Sequence, residues 1–199
     1  MPRLWDETIE THRQAVRQAI MDAAWSLAVE DGLRSVTMAR IAETAGIGRA
    51  TLYKYFHDVE SILNAWHDQH VTAHLEELAT LGEGPGAPVD RLAAVLEAYG
   101  SIVHRRRRHE AELATMLHRP EQIDGPQRQL QDLFRRVLSA AADAGEVRTD
   151  IAVSELARYC CHALGAAAGA TTEQSVRHLV ELVLAGLGVE GRTRRRRSS

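Results

Sequence analysis

The chain is poor in cysteine, has a single lysine and lacks any long apolar run. Its two cysteines among 199 residues are neighbours, Cys160 and Cys161. Two adjacent thiols exclude a disulfide framework, and this usage fits a reducing compartment. The longest uncharged apolar stretches, such as residues 163–170, fall well short of the roughly 20 residues that a bilayer span requires, so no membrane-spanning helix is predicted. The segment Met1-Pro2-Arg3-Leu4-Trp5-Asp6-Glu7 turns acidic where an export signal would carry its apolar core. A cytoplasmic protein is therefore expected. Alternating strand patterns are also missing, which argues against a sheet. Of the 24 basic residues only Lys54 is lysine, which arginine-rich codon usage accounts for better than function does.

What is present supports a packed chain. Hydrophobic residues make up 45% and charged residues 26%, enough apolar material for one generous domain or two small ones and too much for a disordered tail. The net charge of −3 conceals an uneven distribution. Residues 1–57 hold seven basic and seven acidic side chains, residues 58–190 hold twelve and twenty, and residues 191–199 hold five and none. An acidic central body excludes a chain that coats nucleic acid along its whole length, so any such contact must be local.

Apolar residues recur at three and four throughout, and an all-α fold of about nine helices is expected. Val16, Ile20, Ala23 and Leu27 mark a first helix ending at Asp31-Gly32, where glycine suits the left-handed position after a helix. Val59, Leu63, Trp66 and His70 begin a longer stripe that runs toward Leu78, and residues 82–88 read as a loop. Val89, Leu92, Leu96, Tyr99 and Val103 follow, then a short separate piece with Leu113, Met116 and Leu117 before Pro120. Pro126 opens a helix bearing Leu130, Phe134, Val137 and Ala141. Two last helices carry Val153, Leu156, Cys160, Ala163 and Ala167, then Val176, Val180, Val183 and Leu187. The tail from Gly191 is predicted to be disordered.

The informative segment is Met38 to His57. A helix-turn-helix needs a small residue where its helices touch, a glycine able to take positive φ in the turn, and apolar residues locking both helices to a core. With Met38 as position one, Ala42 falls at five and Gly46 at nine, while Ile41, Ala45, Ile47, Leu52 and Tyr55 fill the apolar frame. Thr37 is placed to cap the first helix, and Val36 with Ile41 has the spacing of a hydrophobic staple. Gly48 is a weaker cap for the second. The competing reading, an ordinary helical hairpin, does not require this frame. Arg49, Ala50, Thr51, Tyr53, Lys54 and Tyr55 span the first two turns of the second helix, while Leu52 and Phe56 stand four apart toward the core. The Arg49 fork suits a guanine edge, Ala50 and Thr51 suit thymine methyl groups, and Lys54 suits backbone or base. Tyr55 is equally placed for core packing.

The stretch from Thr37 to Phe56, and above all its Thr51-Leu52-Tyr53-x-x-Phe56 ending, resembles the DNA-binding signature of the TetR family of transcriptional regulators. The resemblance is specific over residues 10–65 and architectural beyond. It implies an N-terminal three-helix DNA-binding domain, here residues 1–57 with the motif at 37–57. A helical ligand-binding and dimerisation domain over residues 58–190 follows, then the basic tail. It implies phosphate contacts from Thr37, Tyr53 and Tyr55. Where the family commonly carries a phosphate-contacting lysine this chain has Val59, which leaves backbone amides behind an Asp58 cap to approach the phosphate. It also implies a repressor that releases double-stranded operator DNA when a small molecule binds.

The remaining expectations concern the C-terminal region. Trp66, His70, Tyr99, Val103, Met116, Phe134, Tyr159 and His162 lie on or beside apolar stripes and are the candidate lining of an apolar effector pocket, although each also suits a plain core. The acidic body favours a neutral or cationic lipophilic effector, unless Arg105 to Arg108 point inward; that run is expected near a helix C-terminus. Ala163, Gly165, Ala166, Ala167 and Gly169 permit close helix approach, and with the stripe Val176, Val180, Val183 and Leu187 they are assigned to a homodimer interface. The alternative is that these stripes close the monomer's own core. His67, His70 and His74 have a chelating spacing without a completing ligand, so no metal or cofactor is expected, and Cys160 reads as a core residue rather than a redox sensor. Arg194 to Arg197 could add nonspecific DNA affinity, with a solvated end as the default. Two other function classes compete. One is an enzyme, for which no nucleophile–base pair, paired carboxylates or phosphate loop stands at a recognisable spacing; the other is a helical binding module that has lost DNA recognition.

Overall fold

The computed structural model describes residues 3–116 and 124–189, with side chains over residues 9–105 and 125–189. Every regular element among the described residues is helical: α1 (Arg3–Asp31), α2 (Met38–Thr44), α3 (Arg49–Tyr55), α4 (Val59–Glu83), α5 (Pro88–Met116), α6 (Asp124–Asp143), α7 (Val153–Gly165) and α8 (Glu173–Gly186). Short 3-10 turns follow α1 at Leu33–Ser35 and α7 at Ala166–Gly169. No described helix is long and apolar enough to cross a membrane. The described residues divide into two compact units, 3–71 with 112–116 and 72–111 with 124–189.

In the first unit the three- and four-residue spacing of α1 puts Ile20, Ala23, Ala24 and Leu27 on one buried face. Gly32 ends α1 with φ 81°, a conformation a side chain would resist, and the reversal tucks Leu33 and Val36 under the helix. Ile41 and Ala42 of α2, Leu52 of α3, Phe56 and Ile62 and Leu63 of α4 join the same cluster. Each large apolar side chain buried in this way contributes about 1.5–3 kcal/mol.

In the second unit Leu92, Val95 and Leu96 of α5, Phe134 and Leu138 of α6, Cys160 and Leu164 of α7 and Val180, Val183 and Leu187 around α8 form the core. Its helices approach closely where side chains vanish. A Cβ on Gly100 would stand 3.1 Å from Val176 Cγ1, tighter than most real contacts, and one on Gly82 would stand 2.9 Å from Val137 Cγ1, closer than real packing allows. Two polar clips tie the ends: Val89 N at the start of α5 donates to Glu146 Oε2 at 2.8 Å, and Arg148 grips both Asp150 oxygens while its Nη1 donates to Gly186 O at 3.2 Å. The two cysteines are buried here, and burial raises the Cys160 thiol to about 12 and Cys161 to about 11. Both thiols are neutral and unreactive near neutral pH.

Three expectations change. The piece bearing Leu113 and Met116 is the end of α5, which runs unbroken to Met116, so eight α-helices appear among the described residues. No glycine or proline lies between Gly100 and Met116, and Arg106 with Glu110 and Arg108 with Glu112 have the i,i+4 spacing that supports a helix. Arg105 to Arg108 therefore stand mid-helix rather than near its C-terminus. The stripe Val176, Val180, Val183 and Leu187, assigned to a dimer interface, is turned into the chain's own core with Ala167; Val183 is 1% exposed. A period of 3.6 reports that a face is buried without reporting against what. Leu117 and the tail from Gly191 lie outside the described residues.

Candidate nucleic-acid interface

The helix-turn-helix is built by local hydrogen bonds. Thr37 Oγ1 accepts from Arg40 N at 3.3 Å and caps α2. The turn closes with Ile47 N donating to Ala42 O at 3.0 Å and Gly46 N to Glu43 O at 3.1 Å, the pair of bonds that requires a left-handed residue between helices, and Gly46 has φ 67°. Gly48 caps α3 through its carbonyl alone, which accepts from Thr51 N and Leu52 N at 2.9 and 3.0 Å. Phe56 breaks out with extended backbone, and α4 is capped by reciprocal bonds: Asp58 Oδ1 accepts from Ser61 N at 2.7 Å while Ser61 Oγ donates to Asp58 O at 2.8 Å. The bond from the Ser61 amide, reinforced by the Ser61 hydroxyl, holds the Asp58 carboxyl below its ordinary value.

These constraints divide α3 into two faces. Leu52 and Phe56 are buried in the first unit's core, whereas Arg49, Ala50 and Lys54 are exposed and Tyr53 is 56% exposed. A helix that leaves an aromatic ring and two cations in water, with its opposite side locked, is a surface prepared for a polyanion. Thr37 is exposed at the start of α2. Thr51 is half-buried; Tyr55 is half-buried and packs against the core, as does Val59. Two contributions were not visible in the sequence. Arg40 of α2 pairs with Asp31 at the end of α1 and points Nη1 at Ser35 O at 3.4 Å, and Arg17 of α1 stands 4.5 Å over the Phe56 ring. Both join separate elements, so no spacing rule marks them.

The candidate effector residues are dispersed. Trp66 and His70 lie in the first unit, stacked on one another with ring centroids 3.6 Å apart. In the second unit Tyr99 meets Phe134 edge-on at 5.5 Å, Phe134 being fully buried and Val103 half-buried nearby on α5. Tyr159 is 42% exposed on α7, its hydroxyl 2.8 Å from where a Cβ on Gly186 would stand, and His162 is exposed. The Met116 side chain lies outside the described residues. Among the described residues no group of three His, Cys, Asp or Glu side chains could hold a metal, the stretch with His67, His70 and His74 included.

Residues 20–66 match the model of the bacterial regulatory proteins of the tetR family, and residues 89–189 match the SbtR-like transcriptional regulator C-terminal domain. An HTH-type transcriptional regulator of Mycobacterium bovis is 30% identical over 136 residues, covering 65% of this chain and 68% of that protein. The fold is also that of a TetR/AcrR-family regulator from Thermobifida fusca, with a TM-score of 0.73 at 21% identity over 85% of this chain and 97% of the other. The Bacillus subtilis regulator FadR, solved in complex with stearoyl-CoA, superposes with a TM-score of 0.65 at 18% identity over 85% of this chain and 98% of its own.

Proposed function

The chain belongs to the TetR family of transcriptional regulators, and from that premise we propose that it is a homodimeric repressor whose operator is released when a lipophilic small molecule binds its C-terminal region. Residues 1–57 are the reading domain in this proposal, and residues 58–190 bind the effector and the second subunit. The observation that carries the DNA-binding half is the α3 face: Arg49, Ala50, Tyr53 and Lys54 stand outward while Leu52 and Phe56 fix the helix from behind. Arg49 reads a base, and Thr37, Tyr53 and Lys54 hold phosphate. A lipophilic effector is supported by FadR, which has the same fold and holds stearoyl-CoA; the acyl chain of that ligand is apolar, while its anionic CoA head differs from the neutral or cationic effector that the acidic body favours. The small-residue stretch remains a fitting dimer contact through its outward members Gly165, Ala166 and Gly169, joined by Tyr159 and Leu182, which is 68% exposed. Footprinting on the region upstream of the protein's own gene is expected to protect a short palindrome, and protection is expected to fade as a lipophilic effector is added. Uniform, sequence-independent protection would overturn the reading.

A further inference from the structure

Two of the chain's three tryptophans meet in the first unit. The indoles of Trp25 on α1 and Trp66 on α4 lie 3.7 Å apart, centroid to centroid, with planes 14° from parallel. The His70 imidazole stacks on Trp66 at 3.6 Å and 24°. Two rings this close to one centroid cannot share a face, so Trp66 is sandwiched. His70 Nδ1 stands 3.0 Å from Trp66 O, and because a carbonyl only accepts, Nδ1 carries the proton and donates; this bond holds the imidazole flat on the indole. A second tie crosses the same pair of helices, Gln69 Nε2 donating to Gln18 Oε1 at 2.7 Å. The ties lie about 10 Å apart along α1 and about 4.5 Å apart along α4, at 1.5 Å rise per residue. Two ties at unequal spacings restrain the crossing angle as well as the separation, in addition to the core that the two helices share.

That angle matters for α3. Leu52 and Phe56, which seat the recognition helix, belong to the cluster built by Ile20, Ala24 and Leu27 of α1 and Ile62 and Leu63 of α4. The direction in which Arg49 and Tyr53 point therefore follows from how α1 crosses α4. His70 is also the last residue but one of α4 within this unit, so the stack grips the helix where it leaves the unit.

We propose that Trp25, Trp66 and His70 are positioning residues for operator recognition: the ring stack fixes the α1–α4 crossing that aims α3. The proposal rests on the reading of the chain as a specific DNA-binding regulator. A stack that merely filled the core would, when broken, lower the folded fraction and weaken binding to every duplex alike. A positioning stack fails on the specific operator first.

The test uses the full chain in a Trp5→Phe background, so that indole signals come from the stack alone, and a duplex selected by the parent protein from a random library. Trp25→Leu and His70→Leu are compared with Trp25→Phe, which keeps a planar ring. The leucine variants are expected to bind the selected duplex roughly three- to tenfold more weakly, a loss of the size an aromatic pair supports, with unchanged affinity for a scrambled duplex and unchanged helical circular dichroism. Trp25→Phe is expected to recover most of the loss. Selected and scrambled duplexes weakened by the same factor, or selected-duplex affinity equal to the parent's in His70→Leu, would overturn the proposal. His70→Leu decides alone if Trp25→Leu does not fold, because it removes only the end ring. A parent protein that selects no sequence would instead overturn the DNA-binding reading, and the proposal with it.

Discussion

At the scale of single residues, the division of α3 between exposed and buried side chains separates roles that the sequence alone runs together. Arg49 and Tyr53 are both exposed on the outward face, yet their chemistry differs. A guanidinium can pair with two acceptors of one base, so its loss removes discrimination; a phenol donates one hydrogen bond to phosphate, which every sequence offers. Arg49→Ala is accordingly expected to cost about 1–3 kcal/mol on the operator and to relax preference at one position, whereas Tyr53→Phe weakens all duplexes alike. Binding curves on the operator, on single-base variants and on random duplex check both. Equal losses on specific and random DNA for Arg49→Ala would remove its base-reading role. Tyr55 shows what sequence can leave open at this scale, since an apolar frame position and a family phosphate contact coincide there, and packing against the core accounts for part of its ring.

At the scale of elements, the helix-turn-helix was legible because its determinants are local. Cap and turn glycine act within a few residues: Thr37 caps α2 and Gly46 takes positive φ as their spacing predicts, and Val36 and Ile41, the staple pair, are both buried in the same cluster. The unbroken α5 was less legible, because a charged run without apolar stripe looks like a helix end although nothing in it stops a helix. Links between elements, such as Trp25 with Trp66 or Arg40 with Asp31, leave no periodic trace at all. The Asp58 cap is a local device with a pH signature. Its carboxyl is held below the ordinary carboxylate value by the folded state's hydrogen bonds, so its contribution is present above that value and is lost as pH falls through the lowered one. Asp58→Ala is expected to lower stability by about 1 kcal/mol at pH 7, and the gap to the parent protein should close as pH falls below about 3.8. Urea titrations at pH 7 and pH 3 check this; a gap of the same size at pH 3 would show that the charged carboxylate is not the cap.

At the scale of the whole molecule, the question is which apolar residues serve one chain and which serve two. One recognition helix reads too few base pairs to find a single place in a genome, and the proposed dimer would extend the reading through paired half-sites. The sequence supplied two apolar stripes near the end of the chain and no means of telling core from interface, since burial by either partner selects the same residues. Adjacent positions on α8 now separate the cases: Val183 is 1% exposed and Leu182 is 68% exposed. A glutamate at Val183 would place a charge among Leu164, Val180 and Leu187, and is expected to cost at least about 3 kcal/mol and to reduce helicity and melting temperature. A glutamate at Leu182 stands mostly in solvent in the single chain, so the isolated fold should change by no more than about 0.5 kcal/mol. In a dimer joined through the outer face of α7 and α8, the same charge would face its own copy across the interface. Leu182→Glu is therefore expected to sediment as a folded monomer with full helical signal and weakened operator binding, while Val183→Glu loses its fold. A Leu182→Glu protein that still sediments as a dimer would place the contact on another face of the molecule.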